Sequence, residues 1–89
     1  MKVAYDPAFY AKLKKVNVRI KKSVKERISI FSKNPNDPQL NNHPLKRQYQ
    51  GYNSIDITAD YRALYKLGKI GDEIFAYFVL LGTHSGLYR

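Results

Sequence analysis

Ser54-Ile55-Asp56-Ile57-Thr58, Tyr61-Arg62-Ala63-Leu64-Tyr65-Lys66-Leu67 and Ile74-Phe75-Ala76-Tyr77-Phe78-Val79-Leu80-Leu81 follow one another with short interruptions. In the first segment Ile55 and Ile57 take one face and Asp56 the other, the alternation of a half-buried strand. In the second, Tyr61, Ala63, Tyr65 and Leu67 share a face, and Arg62, Leu64 and Lys66 share its opposite. The third is apolar on both faces, as a central strand covered by helices would be. Gly68 and Gly71-Asp72 mark the turn before it. Three strands joined by short turns predict an antiparallel meander.

Working back toward the N-terminus, Phe9, Leu13, Val16, Ile20, Val24, Ile28 and Phe31 recur three or four positions apart, a helical stripe with lysines filling the other side. Val16-Asn17-Val18 combines poor helix formers with a capping residue, so the stripe reads as a helical hairpin broken near Asn17. Asp6 can cap the first helix and Pro7 suits its first turn. Met1–Tyr5 reads as a strand. Asn34-Pro35-Asn36-Asp37-Pro38 ends the helices, and Leu40 to Gln50 runs polar and irregular. The sum is one domain over residues 1–89, an α+β two-layer sandwich of N-terminal strand, helical hairpin and antiparallel β-meander.

The chain has 89 residues and a formal net charge of +9, without a cysteine. Disulfides, thiolate nucleophiles and cysteine zinc sites are therefore excluded. The run Ile74–Leu81 is too short to span a bilayer, which takes about 20 residues. The first residues lack the pattern of a secretory signal, so a soluble, cytoplasmic protein is expected. Between Lys12 and Lys33 stand Lys12, Lys14, Lys15, Arg19, Lys21, Lys22, Lys25, Arg27 and Lys33 against Glu26 alone. Such a block predicts a positive face for a polyanion, which can be nucleic acid, anionic membrane or an acidic protein.

Chemistry-bearing residues are few. His43 and His84 both lie in loop-like positions, and their spacing makes no metal ligand set, so no metal and no cofactor is expected. Strand parity from Asp60 predicts its carboxylate beside the Arg62 guanidinium, either a plain surface ion pair or an acid/base group next to a phosphate clamp. Ser32, Ser54 and Ser85 lack a nucleophile-elbow context, and Gly68-Lys69-Ile70-Gly71 is too short to cradle phosphates. A basic domain with two imidazoles and a carboxylate suits metal-independent RNA cleavage. One group takes the 2′-hydroxyl proton, another protonates the leaving 5′-oxygen, and cations hold the charge on the phosphorane.

Asn34-Pro35, Leu40-Asn41-Asn42-His43-Pro44-Leu45, Gly51-Tyr52, Asp60-Tyr61-Arg62-Ala63-Leu64-Tyr65 and the ending Phe78-Val79-Leu80-Leu81-Gly82-Thr83-His84-Ser85-Gly86-Leu87-Tyr88 occur in that order over nearly the whole chain. In these features the sequence resembles the RelE/ParE superfamily of type II toxins, in particular the YafQ-like mRNA interferases. The resemblance implies the RelE-like fold, a ribosome-dependent endoribonuclease that cuts mRNA in the A site, and a cognate antitoxin as partner. It also implies that His43, Asp60 and His84 are the catalytic acid/base residues. Tyr88 matches an aromatic that stacks on or positions RNA, and Arg62 a strand arginine that contacts phosphate. Lys46 and Arg47, next to His43-Pro44-Leu45, complete the expected RNA contacts, and the helical lysines would grip ribosomal RNA.

Two positions depart from the family pattern. Asp56 stands where YafQ-like toxins often carry a further histidine, and Arg47 where a glycine commonly follows His-Pro-Leu-Lys. Two other functions fit the same fold class. One is a ParE-like, non-enzymatic inhibitor of DNA gyrase. The other is a plain basic RNA-binding module, disfavoured because Tyr65 and Phe78 fall at core positions rather than in an exposed aromatic motif.

Overall fold

A computed structural model describes Met1–Tyr88. The elements are β1 (Lys2–Tyr5), α1 (Pro7–Lys15), α2 (Val18–Lys33), β2 (His43–Pro44), β3 (Asn53–Asp56), β4 (Tyr61–Ile70), β5 (Glu73–Thr83) and α3 (His84–Leu87). Strand order in the sheet is β1-β5-β4-β3-β2, with β1 parallel to β5 and the other pairs antiparallel. The α+β sandwich expected from the sequence is thus the architecture observed. Short 3₁₀ turns at Pro38–Leu40 and Arg47–Tyr49 flank β2.

The helical hairpin breaks where the sequence lacks helix formers. Val16 is extended, and the Asn17 side chain accepts a hydrogen bond from Ile20 N at 3.0 Å, capping α2. Asp6 caps α1 in the same way through Ala8 N at 2.8 Å. Its second carboxylate oxygen accepts from the Tyr77 hydroxyl at 2.8 Å, tying the helix start to the central strand.

Both helices pack on one face of the sheet. Phe9, Phe31 and Phe78 are completely buried, and Phe78 meets Phe31 edge-on at 5.4 Å and Tyr65 at 5.2 Å between ring centroids. Ile55, Ala63 and Leu81 share this face by register. Phe78 and Leu81 are an odd number of residues apart, yet both face the helices. The β4–β5 register shifts after Leu64, so Leu64 opposes Leu80 and Tyr65 opposes Phe78, leaving Val79 as the extra residue. This bulge is why the apolar run of β5 shows no alternation.

β5 is central, as expected, but helices cover only one of its faces. Toward the β4–β5 turn the sheet outruns the helices, and Leu67, Ile70 and Ile74 are exposed. On the second face, Leu64 and Ser54 are nonetheless fully buried at the opposite end. That end is closed by the chain before and after β2 and by α3, where the Leu87 side chain lies against Gly82.

Two outcomes are expected. Phe78→Ala should lose ~3–5 kcal/mol of the ~5–15 that stabilise such a domain, and Phe78→Leu clearly less. Urea unfolding of the two variants checks this. Stability should also fall as pH rises above the ordinary tyrosine value of 10.0. Burial raises the hydroxyls of Tyr5 and Tyr65, and the hydrogen bond to Asp6 raises that of Tyr77. The folded state keeps these protons after the unfolded chain has released them, so the contribution is intact below pH 10 and is lost above it. Tyr77→Phe should show a shallower alkaline decline in its urea midpoint than the parent.

Candidate active site

The face of the sheet without helices gathers most of the residues singled out in the sequence. Register sets Asp56, Arg62 and Gly82 in one row across it, and His43, Ser54, Leu64 and Leu80 in the next. A cleft of about 380 Å³ over these rows is lined by Asn41, His43, Leu45, Arg62, His84 and Tyr88. Asp60 lines an adjoining cleft with Thr83, His84 and Ser85. Lys46 and Arg47 line a third, with Leu45, Tyr49 and Tyr88. The first cleft shares His84 with the second, and Leu45 and Tyr88 with the third.

His43 is held by two local features. It pairs with Ser54 as part of β2, a two-residue strand within the stretch read as irregular. Its Nδ1 lies 2.7 Å from the carbonyl oxygen of Asn41, which adopts a left-handed conformation with φ 48°. A carbonyl can only accept, so Nδ1 carries the proton, and in the neutral ring Nε2 keeps a free lone pair. Ser54 Oγ is buried in the same row and has no hydrogen-bond partner among the described residues.

His84 opens α3. Its backbone N–H donates to Asp60 O at 2.7 Å, and its exposed ring meets Tyr88 edge-on at 4.7 Å. The aromatic contact continues from Tyr88 to Tyr49 at 5.8 Å and from Tyr49 to Tyr52 at 5.9 Å, both near perpendicular. Tyr49 also donates to Leu87 O at 2.8 Å, and Lys66 sits 4.4 Å from the Tyr52 ring centre. Tyr65 and Phe78 are core residues as expected. An aromatic row nevertheless exists on the open face, in which the sequence reading assigned no RNA-contact role to Tyr49 or Tyr52. Its signal was the Tyr49/Tyr52 pair in an otherwise polar stretch.

The expected Asp60–Arg62 pair does not form. Asp60 belongs to the turn between β3 and β4, not to β4, so strand parity does not apply to it. The carboxylate beside Arg62 is Asp56, its cross-strand neighbour, with Nε 3.0 Å from Oδ1. Arg62 Nη1 lies within hydrogen-bond distance of the Thr58, Ala59 and Tyr61 carbonyl oxygens.

Arg47 takes a backbone conformation that glycine suits better. Its φ is +59°, and it is exposed. A non-glycine residue there costs on the order of 1 kcal/mol. The lysine-rich helices lie on the other side of the sheet from the clefts. Arg27 is engaged by Gln39 O at 2.8 Å, whereas lysines such as Lys14, Lys22 and Lys25 are exposed.

No protein-family model and no curated protein sequence matches the chain. Solved structures do. A YoeB/ParE toxin from Agrobacterium tumefaciens superposes with a TM-score of 0.74 at 22% identity, covering 94% of this chain and 99% of that one. YafQ from E. coli gives 0.76 at 21% identity, over 99% and 98% of the two chains. A chain of the RelB–RelE antitoxin–toxin complex from Methanococcus jannaschii gives 0.67 at 22% identity, over 96% and 94%. The fold of this protein is therefore the one that these toxins share.

Proposed function

We propose that this protein is the toxin of a type II toxin–antitoxin pair and acts in the cytoplasm as a ribosome-dependent endoribonuclease that cuts mRNA in the A site. The observation that carries the reading is the cleft shared by His43, Arg62, His84 and Tyr88, with Lys46 and Arg47 on its flank. Two imidazoles, fixed cations and an aromatic surface in one hollow match the needs of RNA cleavage by the neighbouring 2′-hydroxyl. The likeness in fold to toxins, one of them solved with its antitoxin, supports the same reading.

In this mechanism His43 Nε2 takes the 2′-hydroxyl proton, because Nδ1 is already committed to Asn41 O. The freed oxygen attacks the adjacent phosphorus. His84 donates a proton to the departing 5′-oxygen, leaving a 2′,3′-cyclic phosphate and a 5′-hydroxyl. Asp60, in the neighbouring cleft with His84, supplies a carboxylate for acid/base work there. Lys46 and Arg47 hold phosphates, Tyr88 stacks on a base, and Arg62 adds positive charge from a fixed position. The reaction so written draws on side chains alone.

A single RNA strand in the cleft leaves the helical lysines untouched, since they are on the other side of the sheet. A partner that surrounds the protein can reach both faces, and a ribosomal site is such an enclosure. For the antitoxin, an apolar groove along α1 and α2 runs past Tyr10, Leu13, Val24 and Ile28, with Lys21 and Lys25 on its rim. An acidic segment with an apolar face fits that chemistry.

His43→Ala and His84→Ala should each cut cleavage of ribosome-bound mRNA by about 10²-fold or more, while ribosome association persists. The double variant should lose less than the product of the two. If the protein instead inhibits DNA gyrase, both variants keep full toxicity and the mRNA stays intact.

Arg47→Gly should be at least as stable as the parent, because strain at φ +59° disappears. It should bind RNA more weakly, with the slope of log affinity against log salt reduced by about one. Affinity titrations between low and physiological salt measure this slope.

A further inference from the structure

We propose that Asp56 and Arg62 form a latch that sets the position of His84, so that Arg62 serves as a positioning residue through the β3–β4 turn. Beyond β3 the chain turns through Ile57 to Asp60 without regular structure. Within residues 58–61 every carbonyl oxygen has a donor. Arg62 Nη1 lies 2.9 Å from Thr58 O and 3.0 Å from Ala59 O, and 3.1 Å from Tyr61 O, which also accepts from Ile57 N at 3.0 Å and Thr58 N at 3.3 Å. The remaining one, Asp60 O, accepts the His84 N–H at 2.7 Å. The inner side of the turn is closed by Thr58 Oγ1, which accepts from Asp60 N and Tyr61 N.

The guanidinium is itself anchored from the strand. Arg62 and Asp56 are direct cross-strand partners on the open face, with side chains 17% and 29% exposed. Asp56 Oδ1 is buried and takes no well-aligned hydrogen bond among the described residues, so the charge of Arg62 is what offsets its burial. A lysine cannot replace this arrangement, because the carboxylate is met at Nε and the three carbonyls converge on Nη1, two positions that a single ammonium cannot occupy together. The path then runs from β3 through Asp56, Arg62 and the turn carbonyls to Asp60 O and the first residue of α3. An aspartate where YafQ-like toxins often carry a histidine acts here as the counter-charge that orients the latch.

The role in catalysis rests on the function proposed above, whereas the latch itself does not. Amide hydrogen exchange on the intact protein tests it in Arg62→Lys and in the milder Asp56→Asn. The His84 amide should exchange at least tenfold faster in both, while Ala76 and Phe78 in the central strand keep their protection. Cleavage by the same variants should lose kcat tenfold or more with KM within about twofold. Unchanged exchange at His84 in both variants overturns the latch, whatever the activity. Faster exchange with a risen KM and unchanged kcat overturns the positioning role and makes Arg62 a substrate contact. If the parent protein cleaves no RNA, the proposed function fails, and the exchange result alone decides whether the latch stands.

Discussion

The packing of Phe78 against Phe9, Phe31 and Tyr65 is the interaction on which the remaining architecture depends. It fixes both helices to one face of the sheet, and the opposite face is then covered only where local chain segments reach it. The bulge at Val79 follows from the same demand. It lets Phe78 and Leu81 both reach the helical layer, and it sets Arg62 and Gly82 together on the uncovered side. Core packing and site geometry are thus two consequences of one register shift, with bulges placed as they often are near functional sites.

Charge divides the molecule in a second way. The largest block of positive residues sits on the helical layer, away from the clefts, while the cleft rim carries Lys46 and Arg47. Arg62, by contrast, is balanced by Asp56 and surrounded by carbonyls. Its positive charge is partly spent within the protein, which leaves the exposed rim residues freer to meet phosphates. The strained backbone at Arg47 belongs to this picture, since a cation is kept where glycine is easier to fold.

Much of the fold was legible in the sequence because its signals are local. The stripe from Phe9 to Phe31, the caps Asp6 and Asn17, and the alternation in β3 and β4 each need only a few neighbouring residues to read. What was not legible depends on contacts between distant segments. β2 is two residues long and contains Pro44, so nothing but its pairing with Asn53 and Ser54 makes it a strand. The apolar run of β5 gave no sign of a bulge, because both of its faces read alike. Parity misassigned the partner of Arg62 because it presumed that β4 starts at Asp60, whereas Thr58 builds a turn there. The gathering of His43, His84 and Tyr88 around one cleft could be anticipated from family resemblance, whereas the sequence showed only the Tyr49/Tyr52 pair of the tyrosine row and not its contact with Tyr88.

In the proposed function an RNA step sits on the open sheet face between His43 and His84. The direct measurement is a nuclear magnetic resonance titration with a short RNA carrying a 2′-deoxy sugar at the attacked position, which binds without being cut. The imidazole signals of His43 and His84 are expected to move together, along with Lys46, Arg47 and Tyr88, while the exposed α2 lysines stay unshifted. Perturbations confined to the α1 and α2 lysines, with both imidazoles unmoved, would contradict it.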